Sequence, residues 1–437
     1  MSNLALAGNP ILPGYYADPS VVEHDGRYFI YATLDPWGGR TLGCWESPDF
    51  KNWTYRELNW PTKEACKTAT SSGAMVWAPS VIKAHGKFYM FISVGGEVWA
   101  GVADSPTGPW KNTRADNTPL VGKMFDEVYH QIDAEGFVDD DGQVYVYWGS
   151  GHNWVNGRCY VAKMNADLTG FDGQPKVVTP TNYFEGPFMI KRNGRYYLMY
   201  SNGNTTKDTY QVHYAVGDSP LGPFTEGPNS PILKTDKANH IISPGHHAVF
   251  RKGDRDFVVY HVLTPNDDKL VLRQTWVSEL AYDAAGNLLP VHPKPGDSDV
   301  IQQLCAAGQA QSKPLAAIAT ASSSAKGYDA ANAVDGSYAT RWKPAGDGVN
   351  WLQLDLGSPT AVTRFEVRPE YAFVPMRFSV EGSTDGKTWS PIAAVETRTG
   401  SPIAGVATGE WRYVRLNFPA AAKGAGASVW AFEVFGK

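Results

Sequence analysis

The sequence predicts an all-β protein whose first 300 residues form a five-bladed β-propeller. A strand signature dense in Tyr and Phe recurs five times, and the chain contains 44 Gly and 30 Pro, too many breakers for a mostly helical protein. Aromatic residues make up 13% of the 437 residues, so core-forming side chains are abundant and the chain is not disordered. These features are typical of short strands joined by tight turns.

The repeated unit is a turn at Gly or Asp followed by an aromatic-rich strand, as in residues 26–31. Its five turn positions are Gly26, Gly86, Gly142, Gly194 and Asp254. Successive turns lie about 50 to 60 residues apart, which is long enough for one four-stranded propeller blade. Five copies therefore predict five blades.

A second, weaker repeat relates residues 104–110 to residues 218–224, and each copy contains a Ser-Pro and a Gly-Pro pair. Proline is tolerated where no ladder hydrogen bond is needed. The pattern therefore predicts a turn between the outer strands of two blades.

Composition excludes several classes of function. The chain has 39 Lys and Arg against 44 Asp and Glu, a net charge of −5, and so lacks the positive surplus of a nucleic-acid-binding protein. A run of about 18 apolar residues is missing, so no membrane span is predicted. Residues 1–8 have no basic n-region and are not an intact signal peptide. We expect a secreted or periplasmic protein whose signal was removed, with a cytoplasmic one as the alternative.

The spacing of the four cysteines fits no zinc motif and is too sparse for a disulfide scaffold. Buried free thiols are expected, with a Cys44–Cys66 bridge as the alternative. The other two cysteines are Cys159 and Cys305.

One strand length before each turn, the repeat places a residue that should face the propeller axis. These residues are Asp18, Trp77, Asp133, Glu185 and His246. Equivalent positions on successive blades surround one axis, so three carboxyls, one Trp and one His are predicted to share a central cavity.

Such a cavity suits glycoside hydrolysis. Like charges and burial drive carboxyl pKa values apart, and the reaction needs one protonated acid and one ionised carboxylate. Trp77 offers an apolar face for a sugar ring. The alternative is that the carboxyls surround a structural metal or cap the ends of strands.

Residues 9–300 resemble glycoside hydrolase family 43, which implies a five-bladed propeller enzyme that hydrolyses with inversion. The matching motifs are Ala17-Asp18-Pro19-Ser20, Trp77-Ala78-Pro79-Ser80, Ile132-Asp133, Glu185-Gly186-Pro187-Phe188 and Gly245-His246-His247.

The resemblance implies roles residue by residue. Asp18 is expected to be the general base, Glu185 the general acid, and Asp133 the carboxylate that orients the acid and raises its pKa. His246 is expected at the bottom of the cavity, where it helps to hold a calcium ion or waters, or else is a core histidine. Arg273 is expected to contact the carboxylates or the sugar, or else to be a solvated surface residue.

Further candidates rest on position alone. Trp37 and Trp154 lie in loops and are either substrate-binding residues or ordinary packing. Glu135 shares a strand face with Asp133 and is a second candidate acid.

Residues 315–437 resemble a discoidin-type (coagulation factor 5/8 C-terminal) domain, which implies a jelly-roll β-sandwich used as a carbohydrate-binding module. Asp335, Thr340 and Glu433 match positions that would ligate calcium, or else they cap turns and a strand end. Candidate sugar-binding aromatics are Tyr371, Phe373 and Trp430. The predicted division is a catalytic propeller at 1–300, a linker at 301–314 and the module at 315–437.

The overall expectation is an inverting exo-glycosidase that releases α-L-arabinofuranose or β-D-xylose from plant cell-wall poly- or oligosaccharides. A galactose-type exo-glycosidase, a transferase acting on sucrose-type substrates and a non-catalytic carbohydrate-binding protein are the alternatives.

Overall fold

The computed structural model describes residues 8–71, 75–266, 269–296, 299–305, 313–420 and 426–436. Residues 1–7, and residues 306–312 of the predicted linker, lie outside these ranges. Two compact units are present. One comprises Tyr15–Pro48 and Arg56–Pro295, and the other Met1–Gly14, Asp49–Tyr55 and Gly296–Lys437.

The propeller consists of five antiparallel sheets, each a simple meander. Four sheets have four strands each. The first comprises β1 Tyr16–His24, β2 Arg27–Leu34, β3 Gly43–Ser47 and β4 Thr54–Arg56, and the second β5 Val76–Ala84, β6 Lys87–Val94, β7 Glu97–Ala103 and β8 Lys111–Asn112. The third comprises β9 Glu135–Val138, β10 Val144–Trp148, β11 Tyr160–Lys163 and β12 Lys176–Val177, and the fourth β13 Glu185–Arg192, β14 Arg195–Asn202, β15 Gln211–Gly217 and β16 Thr225–Glu226. The fifth has three: β17 Gly245–Lys252, β18 Arg255–Leu263 and β19 Arg273–Leu280. Short 3-10 turns occupy Lys123–Phe125 and Lys237–Asn239.

The all-β propeller is confirmed, but the fifth sheet differs from the expected four strands. Between β19 and Gly296, the strand pairing among the described residues is limited to an isolated bridge between Tyr282 and Leu288. A single bridge does not extend the sheet, so three strands remain there.

The repeated turns form as the glycine spacing predicts. Asp25 and Gly26 join β1 to β2 with φ values of 51° and 70°, a left-handed pair that suits the twist of a two-residue hairpin. His85–Gly86 and Asn193–Gly194 repeat this geometry in the second and fourth sheets. Glycine tolerates such angles without steric cost.

Four hydrophobic cores separate successive sheets. Phe29 and Tyr31 of the first sheet pack with Met90 of the second, and Tyr147 of the third packs with Leu198 of the fourth. Two further cores join the second sheet to the third and the fourth to the fifth. Because both faces of these strands are buried, the repeats contain nearly continuous apolar runs instead of strict alternation.

The inner strands β1, β5, β9, β13 and β17 form a closed ring in which each contacts the next and β17 contacts β1. At or next to the start of each, one residue adopts a left-handed conformation. These residues and their φ values are Asp18 (51°), Ala78 (47°), Asp133 (59°), Gly186 (59°) and His246 (38°).

Hydrogen bonds connect four of these left-handed residues to the sheet before them. The N–H of Ala78 donates to Thr33 Oγ1 at 2.9 Å, and the N–H of Asp133 donates to Ser93 Oγ at 2.8 Å. The N–H of His246 donates to Ser201 Oγ at 2.9 Å. Where the fifth sheet meets the first, the N–H of Asp18 donates to His261 Nδ1 at 3.3 Å. The acceptors all lie in the second strand of their sheet, at the same distance from the repeated turn.

The second unit is a β-sandwich built on two long, bent strands. Its strands are β20 Ile318–Ala321, β21 Asn350–Pro369, β22 Met376–Ser383, β23 Ser390–Arg398, β24 Ile403–Phe418 and β25 Val429–Gly436. The early part of β21 pairs with β20 and the later part with β25. Register shifts near residues 355–364 allow the bend, and both layers enclose one core that includes Trp342 and Phe378. The helix α1 Asp299–Leu304 and a 3-10 turn at Ala330–Ala333 complete this unit.

The four cysteines are free, and Cys44, Cys66 and Cys159 are buried, so the expected thiols are found instead of a Cys44–Cys66 bridge. In the described part of the chain, none of the helices has the length and apolar character needed to cross a membrane.

The weaker repeat supplies acceptors for two buried tyrosines. Tyr31 OH donates to Pro106 O at 2.6 Å, and Tyr147 OH donates to Pro220 O at 2.5 Å. Both tyrosines are fully buried. Each turn of this repeat therefore ties the sheet that contains it to the preceding sheet.

We expect Tyr147→Phe to lower the free energy of unfolding by about 1 to 3 kcal/mol, because the Pro220 carbonyl loses its partner without access to water. Tyr145→Phe is the matched control, since this half-buried hydroxyl on the same strand has no hydrogen bond to the described residues. Urea unfolding followed by tryptophan fluorescence measures both variants. Equal losses in the two variants would contradict the assignment.

Candidate active site

Asp18 is ionised at neutral pH. Thr33 Oγ1 donates to its Oδ2 at 2.7 Å, and Arg273 Nη1 donates to its Oδ1 at 3.1 Å. His261 Nδ1 also lies 3.1 Å from Oδ1. Burial opposes ionisation, but the charge of Arg273 favours it and holds the pKa of Asp18 well below its usual range.

Arg273 is buried and held by a second carboxylate. Its Nε and Nη2 donate to Asp35 Oδ2 and Oδ1 at 3.0 and 2.8 Å, and its N–H donates to Oδ2 at 2.7 Å. This bidentate pair fixes the guanidinium plane and leaves Nη1 facing Asp18. The surface alternative for Arg273 is therefore wrong.

Glu185 lies at the start of β13, one residue before the left-handed Gly186. Tyr210 OH donates to its Oε1 at 2.7 Å, and Ser150 Oγ donates to its Oε2 at 2.9 Å. Burial raises the pKa of Glu185 to about 7, although both hydrogen bonds favour the carboxylate and lower it. Glu185 therefore keeps a proton in mildly acidic solution.

Asp133 lies two residues before the start of β9, and its side chain is buried in the same cluster. Burial first, and then the charges of Glu185 and Asp18, raise the pKa of Asp133 well above its usual value. Asp133 and Glu185 therefore retain at least one proton between them at neutral pH while Asp18 is charged.

His246 faces two of the carboxyls. Its Nδ1 lies 3.5 Å from Asp18 Oδ1 and 3.7 Å from Asp133 Oδ2. Burial lowers the pKa of His246 to about 4, so the ring is neutral at pH 7. The repeat thus brings His246 into the carboxyl cluster, and the core-histidine alternative does not describe its position.

Calcium at either predicted site stays a prediction. Among the described residues, no group of three or more His, Cys, Asp or Glu is placed to hold a metal ion. His246 alone does not satisfy calcium, which prefers six to eight oxygen ligands. In the second unit, Asp335 accepts hydrogen bonds from Thr340 Oγ1 and the Ser337 N–H, as in a turn, and Glu433 is paired with Glu366 across two strands.

Three tryptophans lie together beside Arg273. The Trp37 ring centroid is 5.4 Å from Arg273 Cζ and 6.4 Å from the Trp154 ring, and Trp77 Nε1 donates to Trp37 O at 2.8 Å. Trp37 and Trp154 are 41% and 37% exposed, and both have positive φ angles of about 60°. A bulky residue in that conformation is rare, so the fold presents these rings at a backbone cost.

Glu135 belongs to a different layer from the carboxyl cluster. With Ser20, Val81, Phe188 and Val249 it lines a cavity of about 310 Å³ formed by the next residues along the five inner strands. Burial raises the pKa of Glu135 well above its usual value, so it is neutral there.

Of the aromatic candidates in the second unit, Tyr371 and Phe373 pair edge to face at 5.6 Å. Trp430 is only 2% exposed and its Nε1 donates to Glu370 O at 3.1 Å. Trp430 is thus a packing residue rather than an accessible sugar platform.

Thr33, Asp35, Tyr210 and His261 also contact the site and were not predicted from the sequence. Thr33 and His261 share a repeat position, seven residues after their turns, with Ser93 and Ser201. This shared position could have identified Thr33 and His261 from the sequence. Asp35 and Tyr210 lie outside any repeated position and become visible only through their contacts.

Comparison with known families assigns both parts of the chain. The model of glycosyl hydrolases family 43 matches residues 7–288, and that of the F5/8 type C domain matches residues 318–432.

Among curated proteins, a β-D-galactofuranosidase of Aspergillus niger is 33% identical over 65% of this chain and 85% of its own length. A β-xylosidase of Xylanibacter ruminicola is 26% identical over 63% of this chain and 97% of its own. An arabinoxylan arabinofuranohydrolase of Bacillus subtilis is 29% identical over 65% of this chain and 64% of its own.

Among solved structures, one described as a glycoside hydrolase matches with a TM-score of 0.82 and 29% identity, covering 98% of this chain and 99% of the other. A thermostable family-43 glycoside hydrolase matches with a TM-score of 0.54 and 30% identity, covering 66% and 98%.

We expect Glu185→Gln to stabilise the protein more at pH 8 than at pH 5. Folding raises the pKa of this carboxyl to about 7, so between the pKa of the unfolded chain and pH 7 the native state holds a proton that the unfolded state has lost. The free energy of unfolding of the wild type therefore falls as the pH rises through this range. Glutamine has no charge to bury. The melting temperature of the variant minus that of wild type should therefore increase between pH 5 and pH 8.

Glu57→Gln at an exposed position is the control for replacing a carboxyl by an amide. A constant difference at Glu185 across this range would mean that the side chain is not preferentially protonated in the folded protein.

Proposed function

The chain belongs to glycosyl hydrolases family 43, and from this premise we propose an exo-acting enzyme that hydrolyses with inversion at the anomeric carbon. Its proposed products are α-L-arabinofuranose or β-D-xylose, released from the non-reducing ends of plant cell-wall polysaccharides or oligosaccharides. The relatives described as a β-xylosidase and an arabinofuranohydrolase support this class of substrate.

One observation carries the proposal. An ionised Asp18 and a protonated carboxyl at Glu185 lie in one buried cluster, held by different partners. This is the pair of protonation states that acid–base hydrolysis of a glycoside requires.

In the proposed reaction, Asp18 takes a proton from water as the water attacks the anomeric carbon. Glu185 donates its proton to the leaving glycosidic oxygen as the bond to that oxygen breaks. The Tyr210 and Ser150 hydroxyls then stabilise the Glu185 carboxylate that remains. Asp133 lies in the same buried cluster, where its own pKa is raised well above its usual value, and its proposed role is to orient the acid.

The tryptophans at Arg273 supply the proposed sugar site. Trp77 and Trp37 offer apolar surface, and Arg273 offers a fixed hydrogen-bond donor next to the base. α-L-Arabinofuranose and β-D-xylose present similar arrangements of hydroxyl groups, so one pocket would accept both.

Galactofuranose is the second candidate, because the Aspergillus niger relative is described as a β-D-galactofuranosidase and shares 33% identity. Its ring resembles that of arabinofuranose and carries an additional hydroxymethyl group. Room for that group would distinguish the two activities.

We also propose that the F5/8 type C domain binds carbohydrate and keeps the enzyme on its polymer, and that the enzyme acts outside the cytoplasm, where such polymers occur. Both rest on the family matches and on the substrate class. Binding of the protein to insoluble arabinoxylan, with and without residues 313–437, would test the first.

Leaving-group dependence separates the two catalytic roles. We expect Glu185→Gln to reduce kcat/KM by at least about 10³-fold on an oligosaccharide but by less than about 30-fold on a dinitrophenyl glycoside, whose leaving group needs no proton. Asp18→Asn should lose about 10³-fold on both, because the attacking water needs a base in each case. Similar losses on both substrates for Glu185→Gln would exclude it as the acid.

A panel of nitrophenyl α-L-arabinofuranoside, β-D-xyloside and β-D-galactofuranoside tests the substrate. Turnover is expected on one or both pentosides, with galactofuranoside at least tenfold slower. Proton NMR of the first-formed sugar should show inverted configuration. Faster turnover of the galactofuranoside than of either pentoside would make galactofuranose the proposed substrate. A product with retained anomeric configuration would refute the role of Asp18 as a general base.

A further inference from the structure

The fifth sheet breaks the repeat at one buried position. Among the hydrogen bonds around the axis, the acceptors Thr33, Ser93 and Ser201 are small hydroxyl residues and the third sheet has Gly149 at this position, whereas the fifth sheet uses His261. A hydroxyl would accept the same N–H in less space. The larger ring therefore requires another explanation.

His261 contacts the base Asp18 directly and reaches the acid Glu185 only through Tyr210. Its Nδ1 lies 3.1 Å from Asp18 Oδ1, and its Nε2 lies 3.1 Å from Thr205 Oγ1. The face of the imidazole stacks on Tyr210, with ring centroids 5.6 Å apart and planes within 6°. Tyr210 OH donates to Glu185 Oε1 at 2.7 Å.

Tyr210 fits closely over the strand pair that carries His261. Gly245 pairs directly with His261 across β17 and β18, and a Cβ at Gly245 would lie 2.3 Å from the Tyr210 ring. Glycine at this position therefore lets the tyrosine ring lie against the fifth sheet. His261 and Tyr210 are 0% and 1% exposed, which leaves both rings little freedom to reorient.

We propose that His261 and Tyr210 act as a stacked pair of positioning residues that holds the acid Glu185 in a fixed place relative to the base Asp18. This inference rests on the proposed function. Inversion requires a gap between the two carboxyls that admits one water, and small displacements within such a site cost rate steeply. The histidine contacts the base, the tyrosine hydroxyl contacts the acid, and the stack joins them.

The proposal predicts that a change at His261 alters the titration of Glu185, which it does not touch. Tyr210→Phe keeps the ring but removes a donor that favours the carboxylate, so the pKa of Glu185 should rise by about one unit. His261→Ser introduces the hydroxyl found at this position in other sheets and removes the stack on Tyr210. It should raise the pKa of Glu185 by a smaller amount. The double variant should match Tyr210→Phe alone, because the hydroxyl is then already absent.

Two readouts test this. In the pH profile of kcat/KM, the apparent pKa of the basic limb should rise by these amounts. The variants should lose about tenfold in kcat and change less than about twofold in KM. Carbon-13 NMR of δ-labelled glutamate, with the Glu185 signal assigned by its loss in Glu185→Gln, should give the same shifts without any substrate. If no glycoside is hydrolysed, the NMR titration still decides the positioning claim.

His213→Ser is the matched control. His213 is buried and stacks on Tyr200 with centroids 5.9 Å apart, but it pairs with Glu226 and contacts none of the axial carboxyls. It should leave the basic limb and the Glu185 titration unchanged. An unmoved Glu185 titration in His261→Ser, an additive shift in the double variant, or an equal shift in the control would each overturn the proposal. If His261→Ser does not fold, His261→Asn takes its place under the same criteria.

Discussion

The left-handed residue beside the start of each inner strand exposes a backbone N–H inside the molecule, and that group needs an acceptor. At four of the five inner strands the preceding sheet provides it from its second strand, as Ser93 does for Asp133 and Ser201 for His246. The third sheet has Gly149 at that position and offers no side-chain acceptor to Gly186. A buried donor without a partner would cost about 1 to 3 kcal/mol, so these four bonds constrain the sheets that they join. Each sheet is thereby held with its inner strand at the axis, and the side chains there converge whatever their charge.

The converging carboxyls repel one another, and the cation Arg273 stabilises the ionised form of one of them more than that of the others. Three carboxyls share a buried site, and Arg273 donates directly to only one of them, Asp18. Burial alone raises carboxyl pKa values, so Asp133 and Glu185, which lack such a partner, retain protons that Asp18 has lost. The chemistry of the site follows from which carboxyl the guanidinium can reach, and Asp35 decides that by fixing its plane.

Much of this arrangement could be predicted from sequence because a repeat encodes it. The turn spacing predicted five sheets, and one position per repeat predicted the axial residues. The register was one residue off for Trp77 and Glu185, whose neighbours Ala78 and Gly186 are the true equivalents of Asp18. Asp35 and Tyr210 could not be predicted, because no periodicity marks them and their partners lie far away in the chain. Trp430 was misread because an aromatic residue near a strand start looks alike whether it faces solvent or the core.

The departures from the repeat are as informative as the repeat itself. A symmetric ring would place equivalent groups around the axis and could not distinguish a base from an acid. Asymmetry enters with the fifth sheet, which provides Arg273, His261 and His246. Both the first and the fourth sheets border the fifth, but Arg273 donates to Asp18 on the first sheet, whereas Glu185 on the fourth sheet receives hydrogen bonds from the neutral donors Tyr210 and Ser150. The charge gradient across the cavity, from Arg273 toward neutral hydroxyls, therefore gives two chemically similar carboxyls opposite protonation states.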